Sequence, residues 1–260
     1  MKKSKEILLL LIVIVIFILI NYTSLNDFVV KNFSNEESIV VDRVIDGDTV
    51  VVNGSSFRLL GINTPEKKEY LYQEAKNFLQ ENVLNKSLTV EKQGKDRYDR
   101  ELAYLYDGEK NINKEVVKEG YANYYFPDGK NAHFIEFSNA WEECIESNKN
   151  LCEKSLNKCA DCIELREWNF DSQKVVLYNN CNIDCNLNSW TIKDEDRKKF
   201  VFGDFTLKSH EYVYIIVGDE RNNKNKLYWK NQTYVWTSTG DTIFLRDAQG
   251  KLVLWESGNY

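Results

Sequence analysis

Histidine, proline and methionine are nearly missing from this sequence: its 260 residues hold 2 His, 2 Pro and 1 Met. Two histidines cannot build a three-His zinc site, and no His-Glu-x-x-His segment occurs, so His-based zinc hydrolysis is excluded. Two prolines exclude polyproline II and collagen-like architectures. No cysteine precedes Cys144, although 6 follow from there on. Positive charge is also in deficit: 34 Lys and Arg face 40 Asp and Glu, a formal net charge of −6. That balance argues against a protein that coats nucleic acid by bulk charge. It leaves open an enzyme that handles phosphate in one local site. What is present is ample hydrophobic residue (43%) beside 28% charged, the mixture of folded globular chains. The length suits two domains and an appendage.

Three lysines (Lys2, Lys3, Lys5) precede an unbroken apolar run, Ile7 to Ile20. As a helix it would span roughly 21 Å at about 1.5 Å per residue, short of a full hydrocarbon core. No small-x-small cleavage site follows, and Tyr22 and the lysines can extend the span at the interface. The run reads as an uncleaved membrane anchor, with a cleaved signal as the alternative. Either reading exports the rest of the chain. Residues 1–37 thus read as a basic cytoplasmic start, anchor or signal, and polar stalk.

From residue 38 to 153, strand and helix signals alternate. Ile39–Val41 and Thr49–Val52 read as strands. Asn53-Gly54 offers a type I′ turn into Phe57–Leu60. Pro65 opens a helical segment whose Leu71, Ala75, Leu79 and Val83 fall on one stripe. Leu88–Glu91 and Leu102–Tyr106 read as strands, Asn113 as the cap of a helix that Gly120 ends, and Phe134, Phe137, Trp141 and Cys144 as a third helix. The order predicts an α+β barrel with packed helices. From 159 to 260 strands recur without a convincing helix (Val175–Tyr178, Tyr212–Val217, Thr242–Leu245, Lys251–Trp255), which predicts an all-β sandwich.

Three clusters in the first region carry chemistry: Asp46-Gly47-Asp48-Thr49; Arg58 with Asn63-Thr64-Pro65-Glu66; and Asp96-Arg97-Tyr98-Asp99-Arg100. Oxygen donors with few nitrogens suit Ca²⁺ or Mg²⁺. Arginine suits a phosphate that gains charge. Metal, carboxylate base and two arginines are what phosphodiester hydrolysis requires. Taken singly, Asp-Gly-Asp is an ordinary turn, Thr-Pro-Glu an ordinary helix start and Arg100 a solvated loop residue.

Their order carries more. Val44 to Val50, Phe57 to Glu66 and Tyr98 to Tyr104, followed by a segment ending at Tyr121, resemble the thermonuclease (staphylococcal-nuclease-like) family. The resemblance implies a five-stranded OB-type barrel with helices and Ca²⁺-dependent cleavage of DNA or RNA. It implies metal ligation by Asp48 and by the Thr64 carbonyl, with Asp46 as a nearby charge. It implies Glu66 as the group that orients or deprotonates water, Arg58 and Arg100 as phosphate clamps, and Tyr98, Tyr124 and Tyr125 as nucleotide contacts. Asn63 stands where the family has a second ligand carboxylate. Its amide oxygen can still ligate, without charge, so weaker calcium binding is expected.

Val175–Asn180, Leu187–Ile192, Phe205–Ile215 and Val235–Leu245 resemble the lamin tail domain, which implies an immunoglobulin-like sandwich with no catalytic residues to transfer. Its partner is not legible. Trp190, Trp236 and Trp255 read as packing residues. Cys159, Cys162, Cys181 and Cys185 have zinc-ligand spacing, but an exported domain favours disulfides over a structural Zn²⁺. Cys144 and Cys152 could form a separate bridge. The leading expectation is an exported, membrane-anchored, calcium-dependent nuclease. The alternative is a catalytically impaired nucleic-acid-binding or surface-attachment protein, and retention of Asp48, Arg58, Glu66 and Arg100 together discriminates against it.

Overall fold

The structure, a computed structural model, describes residues 37–258. The apolar run and stalk lie outside these residues; among the described residues no helix is long and apolar enough to cross a membrane.

The first region runs β1 (Glu37–Val40), β2 (Arg43–Asp46), β3 (Thr49–Val52), β4 (Ser55–Leu59), β5 (Gly61–Asn63), α1 (Tyr72–Val83), β6 (Ser87–Lys95), β7 (Glu101–Asp107), β8 (Lys110–Asn111), α2 (Ile112–Lys118), β9 (Asn123–Tyr125) and α3 (Phe134–Ser147). Seven strands form one sheet in the order β1-β6-β7-β4-β3-β2, with β8 on β7, while β5 and β9 pair separately. The sheet is larger than the five strands expected, because short β1 and β8 extend it.

Local chemistry explains most of these elements. Asn53 and Gly54 both take positive φ (48° and 78°), the backbone of a type I′ turn, and Val52 pairs Ser55 across it. Ala75, Leu79 and Val83 of α1 are fully buried on one stripe. Pro65 does not open that helix. Lys68 and Leu71 sit at φ 79° and 66°, incompatible with a continuous right-handed helix, so α1 starts only at Tyr72. Asn111, not Asn113, caps α2, its side chain accepting the Lys114 N–H. Asn113 lies inside the helix, donating to the Leu60 and Ala103 carbonyls and accepting from the Leu105 N–H. It fastens α2 to the sheet. Gly120 (φ 71°) passes so close to the Lys149 carbonyl that a Cβ would sit 2.6 Å from it.

After the Cys144–Cys152 disulfide the chain becomes all-β: β10 (Ile163–Asn169), β11 (Lys174–Asn179), β12 (Cys185–Asn186), β13 (Thr191–Lys193), β14 (Lys199–Val201), β15 (Thr206–Leu207), β16 (Tyr212–Val217), β17 (Lys226–Trp229), β18 (Asp241–Arg246) and β19 (Leu252–Gly258). Two four-stranded sheets, β10-β11-β16-β17 and β14-β13-β18-β19, accompany the small β12-β15 pair. All four cysteines of zinc-like spacing are in disulfides, Cys159–Cys185 and Cys162–Cys181, so none is free to ligate Zn²⁺. The pairing follows from register: Ile163 faces Asn179, which brings Cys162 beside Cys181.

Trp190 and Trp236 are buried in the second core. Trp255 is not: it packs with Phe244 and Leu252 on the core of the first region. Trp141 of α3 meets the Phe244 and Trp255 rings edge-on, at 5.4 and 6.0 Å. In β18, Ile243 and Leu245 face the second core and Phe244 faces the first. This sheet is therefore buried on both faces, and the two regions are packed together rather than merely linked.

Candidate active site

Gly47 and Asp48 form the two-residue turn between β2 and β3. Glycine is required there, since a Cβ at Gly47 would lie 2.8 Å from Thr64. That close approach puts the Asp48 carboxylate on the Asn63–Glu66 loop. Its Oδ2 accepts from the Thr64 N–H (3.2 Å), Thr64 Oγ1 (2.9 Å) and Arg58 Nη1 (3.1 Å), and its Oδ1 accepts from Thr49 Oγ1 (3.1 Å). Asp48, Thr49, Arg58, Asn63 and Thr64 are all buried. Asp46 accepts the Asp48 N–H, and burial followed by the Asp48 charge pushes its pKa up to about 6.

Arg58, on β4 opposite Thr49, also donates to the Leu59 and Ile62 carbonyls, both at 2.9 Å. Three of its five N–H groups are thereby used, and two remain for a ligand. Asn63 Nδ2 donates to the Glu195 and Asp196 carbonyls of the second region. Its Oδ1 is buried with no partner. Glu66 is half-exposed, and its Oε1 pairs with Arg197 Nε at 2.9 Å.

Arg100 is held by Asp96 (Nε to Oδ2, 2.7 Å) and lies 5.6 Å from the ring centre of exposed Tyr98. It precedes β7, whose Leu102 faces Arg58 in parallel register. Its ion pair is with Asp96, whereas Asp48 and Glu66 are paired with Arg58 and Arg197. Tyr125 is partly buried, and its hydroxyl pKa is raised by burial and then by Asp196 and Glu195, with Arg58 opposing. The charged groups that act on it, Asp196, Glu195 and Arg58, border the site. Tyr124 points the other way: β alternation turns it into the core, 1% exposed, where its hydroxyl meets Thr242 Oγ1 at 3.0 Å. The expectation that Tyr124 contacts nucleotide is corrected on that ground.

The segment lying on the site, Asp194 to Lys198, was not singled out from sequence, although its run of three acids and two cations was a visible signal. Burial, then mutual repulsion, pushes Asp194 up to about 8 and Glu195 to about 9; burial pushes Asp241 to about 6. Unfolded carboxylates titrate near about 4. The folded state therefore holds extra protons between these values, and its stability falls as pH rises. The melting temperature should fall from pH 6 to pH 9, and Asp194→Asn should flatten that fall. A rise over the same range, or an unchanged slope in the variant, contradicts it.

Residues 56–154 match the family described as Staphylococcal nuclease homologue, and residues 160–257 match the Lamin Tail Domain. A thermonuclease of Staphylococcus hyicus is 33% identical over 129 residues, 44% of this chain and 76% of that protein. The thermonuclease of Staphylococcus intermedius is 31% identical over 130 residues, 45% and 77% respectively. Endonuclease YncB of Bacillus subtilis is 30% identical over 132 residues, 46% and 63%. The chain belongs to the staphylococcal nuclease homologue family, with a lamin tail domain following the nuclease-like region.

Proposed function

We propose that this chain hydrolyses phosphodiester bonds of DNA or RNA at the Asp48–Arg58–Glu66 site, with Ca²⁺ as its metal. The carrying observation is the buried network in which Asp48, Arg58 and Thr64 meet beside Glu66. Among the described residues no group of three His, Cys, Asp or Glu could hold an ion. The donor set instead mixes one carboxylate with neutral oxygens, and the buried, partnerless Asn63 Oδ1 fits such a set. Asp48, Asn63 Oδ1 and the Thr64 carbonyl would hold the ion, with Asp46 adding charge. The chemistry it supplies there is neutralisation of negative charge on the phosphate oxygens.

The chain's own residues do the rest. The two spare N–H groups of Arg58 bind phosphate while its others hold the turn. Arg100 adds a second clamp, with Tyr98 and Tyr125 lining the approach. Glu66 takes the proton from the attacking water. Three disulfides suit an oxidising compartment, and together with the run Ile7–Ile20 they support action outside the membrane, by an anchored or a released chain. In this proposal residues 38–153 form an OB-type barrel that carries the reaction, and residues 159–260 form an immunoglobulin-like sandwich beside it.

The sandwich contributes Arg197, which occupies Glu66 in the resting arrangement. The pair is half-exposed, and such pairs are worth about 0.2–1 kcal/mol. Arg197→Ala should raise kcat about two- to fivefold, and an unchanged or lower kcat contradicts that role. The function itself is tested by incubating the full chain with denatured DNA and Ca²⁺ and measuring acid-soluble nucleotide. Steady release is expected; intact substrate contradicts the proposal.

A further inference from the structure

A cavity of about 280 Å³ lies behind the catalytic loop, walled by Pro65, Glu69 and Tyr70 on one side and by Lys193, Lys199 and Arg246 on the other. Its charge is unusual for an interface between packed regions. Thr191 pairs Arg246 and Lys193 pairs Phe244 across β13 and β18. Alternation thus puts Lys193 and Arg246 on the same sheet face as Phe244, the face that meets the first core. A buried face normally carries apolar residues, and two cations there need a counter-charge.

The carboxylates nearby supply it only at longer range, Glu69 acting on both cations and Asp247 on Arg246, and neither is ion-paired with them. Glu69 is ion-paired with Lys199. Asp247 is turned into its own loop, accepting the Gln249 and Lys251 N–H groups and the Ser155 hydroxyl. Arg246 donates Nη1 to the Leu151 and Gly250 carbonyls, which fixes it without neutralising it. The Lys193 ammonium group makes no hydrogen bond or ion pair with any described residue, although Glu69 and Asp194 act on it at longer range. Burial, and to a lesser degree Arg246, push its pKa below the ordinary lysine value.

We infer that this cavity binds a compact phosphate-class anion, with Lys193 and Arg246 as its cationic ligands and Thr191, Ser189 and Gln249 within the same walls as hydrogen-bonding groups. The site does not depend on the nuclease reading, since none of these residues belongs to the Asp48–Glu66 network. The volume lies just below the range of drug-sized pockets, which suits phosphate or the terminal phosphomonoester of a nucleotide chain.

The test is calorimetric titration of the full chain with inorganic phosphate at constant ionic strength, chelator present, with chloride as the control. A second arm compares a dinucleotide with and without a 5′-phosphate. Saturable phosphate binding is expected, weakened at least about tenfold in Lys193→Met, the loss expected for one charge-assisted contact. Lys193→Arg keeps the charge and should retain binding within a few-fold, which separates a lost ligand from a misfolded chain. Binding of free phosphate identifies the free ion as ligand. Binding of the phosphorylated dinucleotide alone identifies a chain terminus. No saturable binding in either arm, or equal affinity in wild type and Lys193→Met, overturns the inference.

Discussion

Glu66→Gln is expected to lower kcat by about 10²–10⁴, the range for a positioned general base, with the melting temperature unchanged. The argument rests on how little else the side chain does. Glu66 is half-exposed, and its one carboxylate partner is the exposed Arg197. A glutamine oxygen can still accept from that guanidinium, so the loop keeps its shape while the proton acceptor is lost. The local backbone is held independently, by the Glu66 N–H donating to Glu69. Surface changes of this kind cost within about 0.5 kcal/mol of stability. A kcat within tenfold of wild type would remove Glu66 from the mechanism.

Arg58→Met should lower stability as well as activity, the stability loss being measured in the presence of chelator. Arg58 and Asp48 form an ion pair with side chains only 9% and 7% exposed. Removing one partner leaves a buried carboxylate held only by neutral donors and strips the Leu59 and Ile62 carbonyls of theirs. Breaking a buried pair costs about 3–5 kcal/mol. In a region of this size that is about 6–20 °C in melting temperature. Adding Asp48→Asn should recover part of the loss, because the amide needs no counter-charge. The chelator matters because a bound cation could replace the guanidinium beside Asp48. A single-variant loss below about 1 kcal/mol, or strict additivity of the two changes, contradicts a coupled buried pair.

Much of this site could be read from residue order alone. Asp48, Arg58 and Thr64 do converge, because a two-residue turn and a hairpin are local structures with local signatures. The Asn53-Gly54 turn and the α1 stripe were legible for the same reason. Errors arose where neighbouring residues of like type compete. Asn111 and Asn113 are both able to cap, and only the sheet beneath decides which one turns inward. Tyr124 and Tyr125 differ by the parity of a three-residue strand, which sequence does not set. The start of α1 depended on two left-handed backbone positions, Lys68 and Leu71, that no glycine announces.

What stayed hidden was long-range. The contacts of Asn63 with Glu195 and of Glu66 with Arg197 join residues more than a hundred positions apart. One clue was available: Ile243-Phe244-Leu245 has no polar alternation, the pattern of a strand buried on both faces. Read that way, it announces that the sandwich sheet packs against something else. The placement of Asp194 to Lys198 against Asn63 and Glu66, and the cavity behind Pro65, follow from that docking and not from either region alone.

The most direct test of the central claim is the calcium dependence of turnover on denatured DNA, for wild type and Asp48→Asn. Wild-type turnover should saturate with Ca²⁺ and vanish with a chelator, while Asp48→Asn should need far more Ca²⁺ or show none. Turnover that survives the chelator, or an Asp48→Asn response matching wild type, would contradict the account.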